Sequence, residues 1–352
     1  MERLVKLLKA AREQGCSDIH VSEGLGIAAR LHGKLKPWDA HSEAEERRDI
    51  IEEMCRACEA GDPYAGDLDF ALELEDGTRH RVNVYRDRTG LSAAIRLLND
   101  HIPSLAELDL PDVLGRLAEE PRGLILVTGP TGSGKSTTLA AMIDHISKIR
   151  SGHIITVEDP IEYVFDQNKC MIHQREVGES VDSFAGALRS ALREDPDIIL
   201  VGEMRDYETI STAVTAAETG HLVLSTLHTT GAAQTIDRIV DTCPPETQQQ
   251  MRNQLSTILR GIITQSLLPN AMGDGRIAAT EILLGTDAAG NLIRENKCYQ
   301  LNNVMQSGMA LGMHTLGNDL ARLVRTGRIT LETAEGAATD RNELKQYLGG
   351  RF

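Results

Sequence analysis

One run of nine residues constrains the fold of this 352-residue chain more than any other part of it. The run consists of Gly129, Pro130, Thr131, Gly132, Ser133, Gly134, Lys135, Ser136 and Thr137. It matches the Gly-x-x-x-x-Gly-Lys-Ser pattern of a phosphate-binding loop. The apolar residues 124–127 before it predict a buried strand, and apolar residues at helical spacing over 139–146 predict a helix after it. A strand, a glycine loop and a helix in this order predict a nucleotide site in an α/β domain.

The residues of this run are suited to a polyphosphate and its metal ion. Glycines let backbone N–H groups curl around the phosphates, and the helix that follows places the positive end of its dipole there. We expect Lys135 to reach the β- and γ-phosphates and the hydroxyl of Ser136 to bind Mg²⁺.

The composition excludes several other classes of protein. A formal net charge of −15 argues against general nucleic-acid binding, because domains that bind nucleic acids are usually basic. No apolar run approaches the roughly 20 residues that a membrane span needs. Residues 1–11 have the pattern of an amphipathic helix rather than of a signal peptide. We therefore expect a cytoplasmic protein that has no integral membrane segment and binds no nucleic acid.

The six cysteines are consistent with reduced thiols in the cytosol. Cys55 and Cys58 form the only close pair in the sequence. Since there is no second pair at metal-ligand spacing, two thiols on one helix are favoured over a zinc site.

The first hundred residues have an α+β pattern. Strands are predicted at 17–21, 27–31 and 79–85, a turn at His32–Gly33 and a helix at 43–60. In the strand at 79–85 the valines alternate with polar residues, so one face is expected to be buried and the other exposed.

From residue 123 onward, short apolar runs alternate with helical patterns, which is typical of a parallel sheet covered by helices. The predicted strands are 124–128, 154–157, 198–201 and 222–226. The last hundred residues look mostly helical. We therefore place a first domain at 1–100, a linker at 101–112 and a second domain at 113–352.

Polar clusters follow the predicted strands of the second domain, at the edge where ligands bind in open α/β sheets. Glu162 ends the acidic segment 158–162, and Glu203 follows the strand at 198–201. Hydrolysis of a nucleotide needs a group that orients or deprotonates a water molecule, and an acidic residue after an apolar strand is where such enzymes hold Mg²⁺. Both are candidate catalytic carboxylates, and Glu203 with Ser136 is a candidate metal ligand. For either glutamate alone, a helix cap or an ion pair is the alternative.

His221 and His228 stand at the two ends of the predicted strand at 222–226. They either contact the γ-phosphate or satisfy polar groups of the core.

Four segments of the second domain, taken in order, resemble the Walker A, Asp box, Walker B and His box motifs of the secretion ATPase superfamily. These segments are residues 129–137, 155–163, 195–203 and 220–229. The similarity extends across nearly the whole chain and includes Ser17–His20 near its start. It is greatest with the pilus-retraction branch of the type IV pilus motors, the twitching-motility (PilT-like) ATPases.

The resemblance implies a homohexameric ring whose subunits have a PAS-like N-terminal α+β domain and a RecA-like P-loop ATPase domain with a helical C-terminal part. It implies ATP and Mg²⁺ as cofactors. It also identifies seven catalytic positions. Glu162 corresponds to the Asp-box glutamate, Glu203 to the Walker B glutamate and Lys135 to the Walker A lysine. His221 and His228 correspond to the His box, and Arg81 and Arg96 to N-domain arginines that approach the γ-phosphate when the domains close.

The retraction branch is favoured over the other motors. Pilus-extension and type II secretion ATPases usually carry an extra N-terminal domain and a four-cysteine zinc site, whereas this chain starts at the PAS-like region and its ATPase-domain cysteines are scattered. The retraction branch has an Ala-Ile-Arg-Asn-Leu-Ile-Arg-Glu motif, and residues 288–295 match it except that Ala289 and Gly290 replace Ile and the first Arg. The resemblance further implies an inner-membrane pilus platform protein as partner, with the motor docked at the inner face of the cytoplasmic membrane.

Three functions remain in competition. The leading one is a Mg-ATP-hydrolysing motor that disassembles a pilus and so powers twitching motility. The second is a motor of the same superfamily that extends pili or drives secretion or DNA transfer. The third is a structural subunit that binds ATP without turnover, and the intact Glu162, Glu203 and His228 argue against it.

Overall fold

A computed structural model describes residues 2–31, 34–39, 42–98 and 101–349. The chain divides into two units, Met1–His101 and Ile102–Phe352. The division into residues 1–100, 101–112 and 113–352 stays a prediction. In the structure, Leu105, Leu108 and Leu110 of the middle segment pack against the core of the second unit, because their apolar side chains find a buried surface there.

The first unit consists of two helices and six strands within the described residues. They are α1 (Glu2–Glu13), β1 (Cys16–Ser22), β2 (Gly26–Leu31), β3 (Lys34–Asp39), α2 (Ala44–Ala57), β4 (Leu68–Glu73), β5 (Arg79–Asp87) and β6 (Gly90–Leu97). The strands form an antiparallel sheet in the order β3-β2-β1-β6-β5-β4. The predicted α+β pattern is confirmed, although β3 and β4 were not predicted. The predicted turn at His32–Gly33 lies outside the described residues.

The two faces of this sheet differ in polarity. One face and the two helices form a core that includes Ile19, Val82 and Ile95, each fully buried. The other face carries a row of charged residues across four strands, because residues paired in register project on the same side. This row, hereafter the arginine row, consists of Arg30, Asp18, Arg96 and Arg81.

The second unit begins with helix and strand elements in alternation. They are α3 (Val113–Ala118), β7 (Gly123–Thr128), α4 (Lys135–Ile149), β8 (Gly152–Glu158), β9 (Cys170–Glu176), α5 (Phe184–Ala191), β10 (Ile198–Val201), α6 (Tyr207–Glu218) and β11 (Leu222–Leu227). The remaining elements are α7 (Ala232–Asp241), α8 (Gln248–Ile258), β12 (Leu259–Pro269), β13 (Arg276–Leu284), α9 (Asp287–Arg294), α10 (Leu301–Ser307), α11 (Leu316–Arg325), α12 (Leu331–Ala337) and α13 (Arg341–Leu348).

The strands of the second unit form one sheet in the order β13-β12-β7-β11-β10-β8-β9, parallel except for β13. Alternate residues of β7 enter two cores on opposite faces: Leu124 and Leu126 pack in one, and Ile125 and Val127 in the other. Helices cover both faces, so the strands are apolar without alternation. The predicted α/β class with a covered parallel sheet is confirmed.

The C-terminal part is less uniformly helical than the sequence indicated. The strands β12 and β13 form an antiparallel hairpin, and β12 also pairs in parallel with β7. The strand β12 follows α8 directly, with Leu259 next to Ile258, and both of its faces are largely buried. Such a strand cannot be distinguished from a buried helix by periodicity. After β13, the described chain is helical.

The six cysteines are free thiols, and Cys55 lies in the core of the first unit. Burial raises the pKa of Cys55 and of Cys58. Across the described ranges, no group of three or more His, Cys, Asp or Glu side chains is arranged to hold a metal ion. No helix in those ranges has the length and apolarity to cross a membrane.

Candidate nucleotide site

The phosphate loop joins the carboxyl end of β7 to the amino end of α4. Its backbone depends on glycine at three positions, because Gly129 (φ 141°), Gly132 (φ 77°) and Gly134 (φ 87°) have positive φ angles that L side chains rarely adopt. A Cβ at Gly129 would also overlap the backbone carbonyl of Gln265. The hydroxyl-bearing Ser136 is exposed in the first turn of α4. The loop therefore offers N–H groups and the exposed hydroxyl of Ser136 at the same edge of the sheet.

Lys135 lies folded against this loop. Its Nζ donates hydrogen bonds to the carbonyls of Gly129 and Pro130, both at 3.0 Å. Burial lowers the pKa of Lys135, and the negative charges of Glu203 and Glu162 oppose that effect. The structure thus brings these two carboxylates within electrostatic reach of the lysine.

The side chain of Gln265 on β12 holds the phosphate loop by hydrogen bonds to two of its neighbours in α4 and the loop. Its side-chain amide donates to the carbonyl of Ser133 at 2.6 Å, and its amide oxygen accepts from the hydroxyl of Thr138 at 2.8 Å. Gln265 is 3% exposed, so this amide satisfies polar groups that are out of reach of water. The sequence analysis missed it, since a glutamine in an apolar run has no signal until the strand pairing is known.

Glu203 lies just beyond β10, between the ends of its two neighbouring strands. The loop that carries it is fixed by backbone hydrogen bonds from Gly202 to Val157 on β8 (2.8 Å) and from Met204 to Thr226 on β11 (3.1 Å). The carboxylate is 13% exposed; it pairs with Arg205 at 2.6 Å and lies 3.6 Å from Nε2 of His228. His228 and Glu203 therefore lie next to each other at the carboxyl edge of the sheet.

Glu158, at the end of β8, is a site residue that the sequence analysis grouped with Glu162 but did not assign a role. Its carboxylate accepts from the hydroxyl of Thr156 (2.6 Å) and from the side-chain amide of Gln174 (3.1 Å). Loss of solvation raises the pKa of Glu158 to about 7, and the nearby charge of Glu162 adds to the rise. A carboxyl group with a pKa near neutrality can exchange protons at physiological pH.

The structure does not bring His221 to this site. It precedes the first residue of β11, whereas His228 follows the last, and six strand residues span about 20 Å. The ring of His221 is bonded to the carbonyl of Ala216 at 2.9 Å and lies 3.3 Å from the hydroxyl of Thr219. In this chain, the ring of His221 therefore supplies a hydrogen-bond partner for a backbone carbonyl near the C-terminal end of α6.

Arg81 and Arg96 lie in the first unit, directly opposite each other on β5 and β6. Both are exposed, and Arg96 donates to Asp18 at 3.2 Å. Two like charges paired across strands are unfavourable for the sheet. Asp18 gives Arg96 a partner of opposite charge within the sheet, whereas the position of Arg81 opposite Arg96 is not explained by the stability of the sheet.

Comparison with known proteins identifies the class of protein. A family model described as type II/IV secretion system protein matches residues 1–347. The chain therefore belongs to this family, and the resemblance inferred from the four motifs is confirmed.

Particular relatives point to the pilus-retraction branch. The chain is 52% identical to a twitching motility protein of Neisseria gonorrhoeae, over 79% of this chain and 74% of that one. It is 45% identical to the type IV pilus retraction ATPase PilT of Pseudomonas aeruginosa, over 95% and 98% of the two chains. A crystal structure of the pilus retraction motor PilT with bound ADP aligns with a TM-score of 0.86 at 47% identity, covering 97% of this chain and 98% of that one.

Proposed function

We propose that this chain is a Mg-ATP-hydrolysing motor ATPase that powers the retraction of type IV pili and thus twitching motility. One observation carries the proposal: Lys135 lies folded against a complete phosphate loop, at the same edge of the sheet where Glu203 lies 3.6 Å from Nε2 of His228. The similarity to retraction ATPases over nearly the full length of the chain supports the choice of cargo.

The residues have distinct roles in hydrolysis. The loop N–H groups and Lys135 hold the phosphates, and Glu162 orients and deprotonates the attacking water. The exposed hydroxyl of Ser136 and the carboxylate of Glu203 fit a Mg²⁺ ion, because hard oxygen donors suit it. That ion, when bound, neutralises charge on the β- and γ-phosphates. His228 lies against Glu203 and is placed to fix the orientation of that carboxylate.

The remaining parts of the proposal concern assembly. Arg81 and Arg96 supply positive charge to the γ-phosphate when the first unit closes on a nucleotide site of the ring. The working form is a homohexamer, docked on a platform protein at the inner face of the cytoplasmic membrane. Arg81 and Arg96 are both exposed, and their like charges face each other across β5 and β6. These two observations support a role for the arginines outside their own sheet.

The decisive experiment is a deletion of the gene in the source organism, scored for surface pili and twitching together. It is complemented with the wild-type chain, with Lys135→Ala and with Glu203→Gln. We expect the deletion to gain pili and lose movement, and only the wild-type chain to restore both. In purified protein, Lys135→Ala abolishes nucleotide binding or turnover, whereas Glu203→Gln binds ATP without releasing phosphate.

Other outcomes select the other functions. Loss of pili identifies an extension motor, and full complementation by Glu203→Gln identifies a structural subunit that needs no turnover. No change in either trait indicates an accessory motor, which the departures at Ala289 and Gly290 from the retraction motif would then mark.

A further inference from the structure

The segment that carries Glu162 has no secondary structure of its own. It connects β8 to β9, and residues 161–167 belong to neither helix nor strand. Backbone groups in such a segment need partners elsewhere if they are to hold one conformation. Burial alternates along it: Ile161, Tyr163 and Phe165 are each less than 10% exposed, whereas Glu162 and Val164 face away from the core.

Side chains of β9 supply the missing partners on both sides of Glu162. On one side, the carboxylate of Glu176 accepts from the N–H of Ile161 at 2.9 Å. On the other, the amide of Gln174 donates to the carbonyl of Tyr163 at 2.8 Å and accepts from the N–H of Phe165 at 3.0 Å. The same Gln174 amide also donates to the carboxylate of Glu158, at the end of β8, at 3.1 Å.

A further contact joins this segment to the phosphate loop. The hydroxyl of Tyr163 is hydrogen-bonded to the hydroxyl of Thr137, the last residue of the loop motif, at 2.9 Å. The residue next to Glu162 is therefore hydrogen-bonded directly to the first turn of α4, which follows the phosphate loop.

We propose that Gln174 is the positioning residue for Glu162, and that the Tyr163–Thr137 hydrogen bond sets the place of Glu162 relative to the phosphate loop. The inference rests on the proposed function, in which Glu162 orients and deprotonates the attacking water. A carboxylate displaced by about 1 Å from its water loses most of its effect on the rate, so a side chain that never touches nucleotide controls turnover.

The test uses the full-length chain with ATP and Mg²⁺. Gln174→Met keeps an unbranched side chain of similar length and removes all three hydrogen bonds of the amide. We expect kcat to fall about ten- to a hundredfold while the Kd for ATP changes by less than about threefold. Tyr163→Phe removes one hydroxyl and should lower kcat by about three- to tenfold.

Gln167→Met is the matched control. Gln167 lies on this connection, and its amide bonds the backbone of Ile172 on β9, donating to the carbonyl and accepting from the N–H, both at 2.8 Å, but it touches neither neighbour of Glu162. A kcat near that of the wild type is expected. If Gln167→Met and Gln174→Met lower kcat equally, the amides only hold the connection together and the inference is wrong.

Combination with Glu162→Gln separates this inference from the proposed function. If Glu162→Gln alone keeps full turnover, the role of Glu162 is wrong. If Glu162→Gln lowers kcat as proposed, Gln174→Met should cause no further loss in that background, since it acts through Glu162. An equal further loss, or a Gln174→Met single variant with wild-type kcat, would overturn the positioning role alone.

Discussion

At the scale of single residues, burial moves the pKa values of two groups in opposite directions. Desolvation favours the neutral form of each, so it raises the pKa of Glu158 to about 7 and lowers the pKa of His80 to about 4. For Glu158, the consequence belongs to the nucleotide site. For His80, which is fully buried on β5, the consequence is for the stability of the first unit.

His80 makes the first unit sensitive to acid. Its ring nitrogens have no hydrogen-bond partner among the described residues, and the positive charge of Arg12 also disfavours protonation. The unfolded chain then binds more protons than the folded one between pH 6.5 and about 4. The free energy of unfolding of the first unit therefore falls progressively as the pH is lowered from 6.5 to about 4, by up to about 3 kcal/mol in total.

Urea unfolding followed by fluorescence measures this effect, because Trp38, the single tryptophan of the chain, lies on β3 of the first unit. We expect His80→Leu to flatten the fall in stability between pH 6.5 and 4. His20→Leu, on the half-buried face of β1, is the control and should leave the pH dependence unchanged. An unchanged fall in His80→Leu would assign the acid sensitivity to other groups.

At the scale of elements, close packing explains one departure from the retraction motif. Helix α9 carries Ala289 and Gly290, both buried, and a Cβ at Gly290 would lie 2.7 Å from the backbone carbonyl of Ser256 on α8. Arg294, in the retained half of the motif, donates to the hydroxyl of Ser256 at 3.1 Å. The helices α8 and α9 approach closely at Gly290, which has no side chain. The arginine that the retraction motif has at this position would not fit between them.

Gly290→Ala should therefore destabilise the second unit by about 1–3 kcal/mol, although glycine to alanine within a helix usually stabilises by up to about 1 kcal/mol. Calorimetry measures this, with the transition of the second unit identified by its shift on adding nucleotide. Gly336→Ala in α12 is the matched control, because a Cβ there has nothing within 4 Å, and it should be neutral or stabilising. A stabilising effect at both positions would show that α8 and α9 are not in close contact.

At the scale of the whole molecule, substitutions in the arginine row test whether the first unit takes part in hydrolysis. Arg81→Ala removes one of two like charges that face each other, so the first unit should become no less stable. We expect Arg81→Ala and Arg96→Ala to lower kcat by about 10³-fold or more with little change in ATP affinity, as for arginines that act on the transition state.

Arg30→Ala is the control within the same row, since Arg30 lies 3.8 Å from Asp18, the residue that also pairs with Arg96. Its kcat should stay near that of the wild type. Equal losses of kcat and of ATP affinity in Arg81→Ala would contradict a role confined to the transition state.

The sequence alone determined the elements whose residues signal locally. The phosphate loop needs glycines at fixed spacing, the strands of the covered parallel sheet are uninterrupted apolar runs, and Asp206 caps α6 by accepting from the N–H of Thr209, as its position indicates. These patterns were sufficient for the α/β class and for the family that the comparisons show. They also placed Glu203 and His228 at one edge, because parallel strands end together.

Only the tertiary structure decided which side chains meet. The support of the phosphate loop by Gln265 depends on pairing between β12 and β7, which are separated by more than 130 residues in the chain. The fold likewise brings Gln174 on β9 to both Tyr163 and Phe165, and strand direction puts His221 at the opposite edge from His228. A hydrogen bond across such distances has no local sequence signal, since either partner alone looks like an ordinary polar residue.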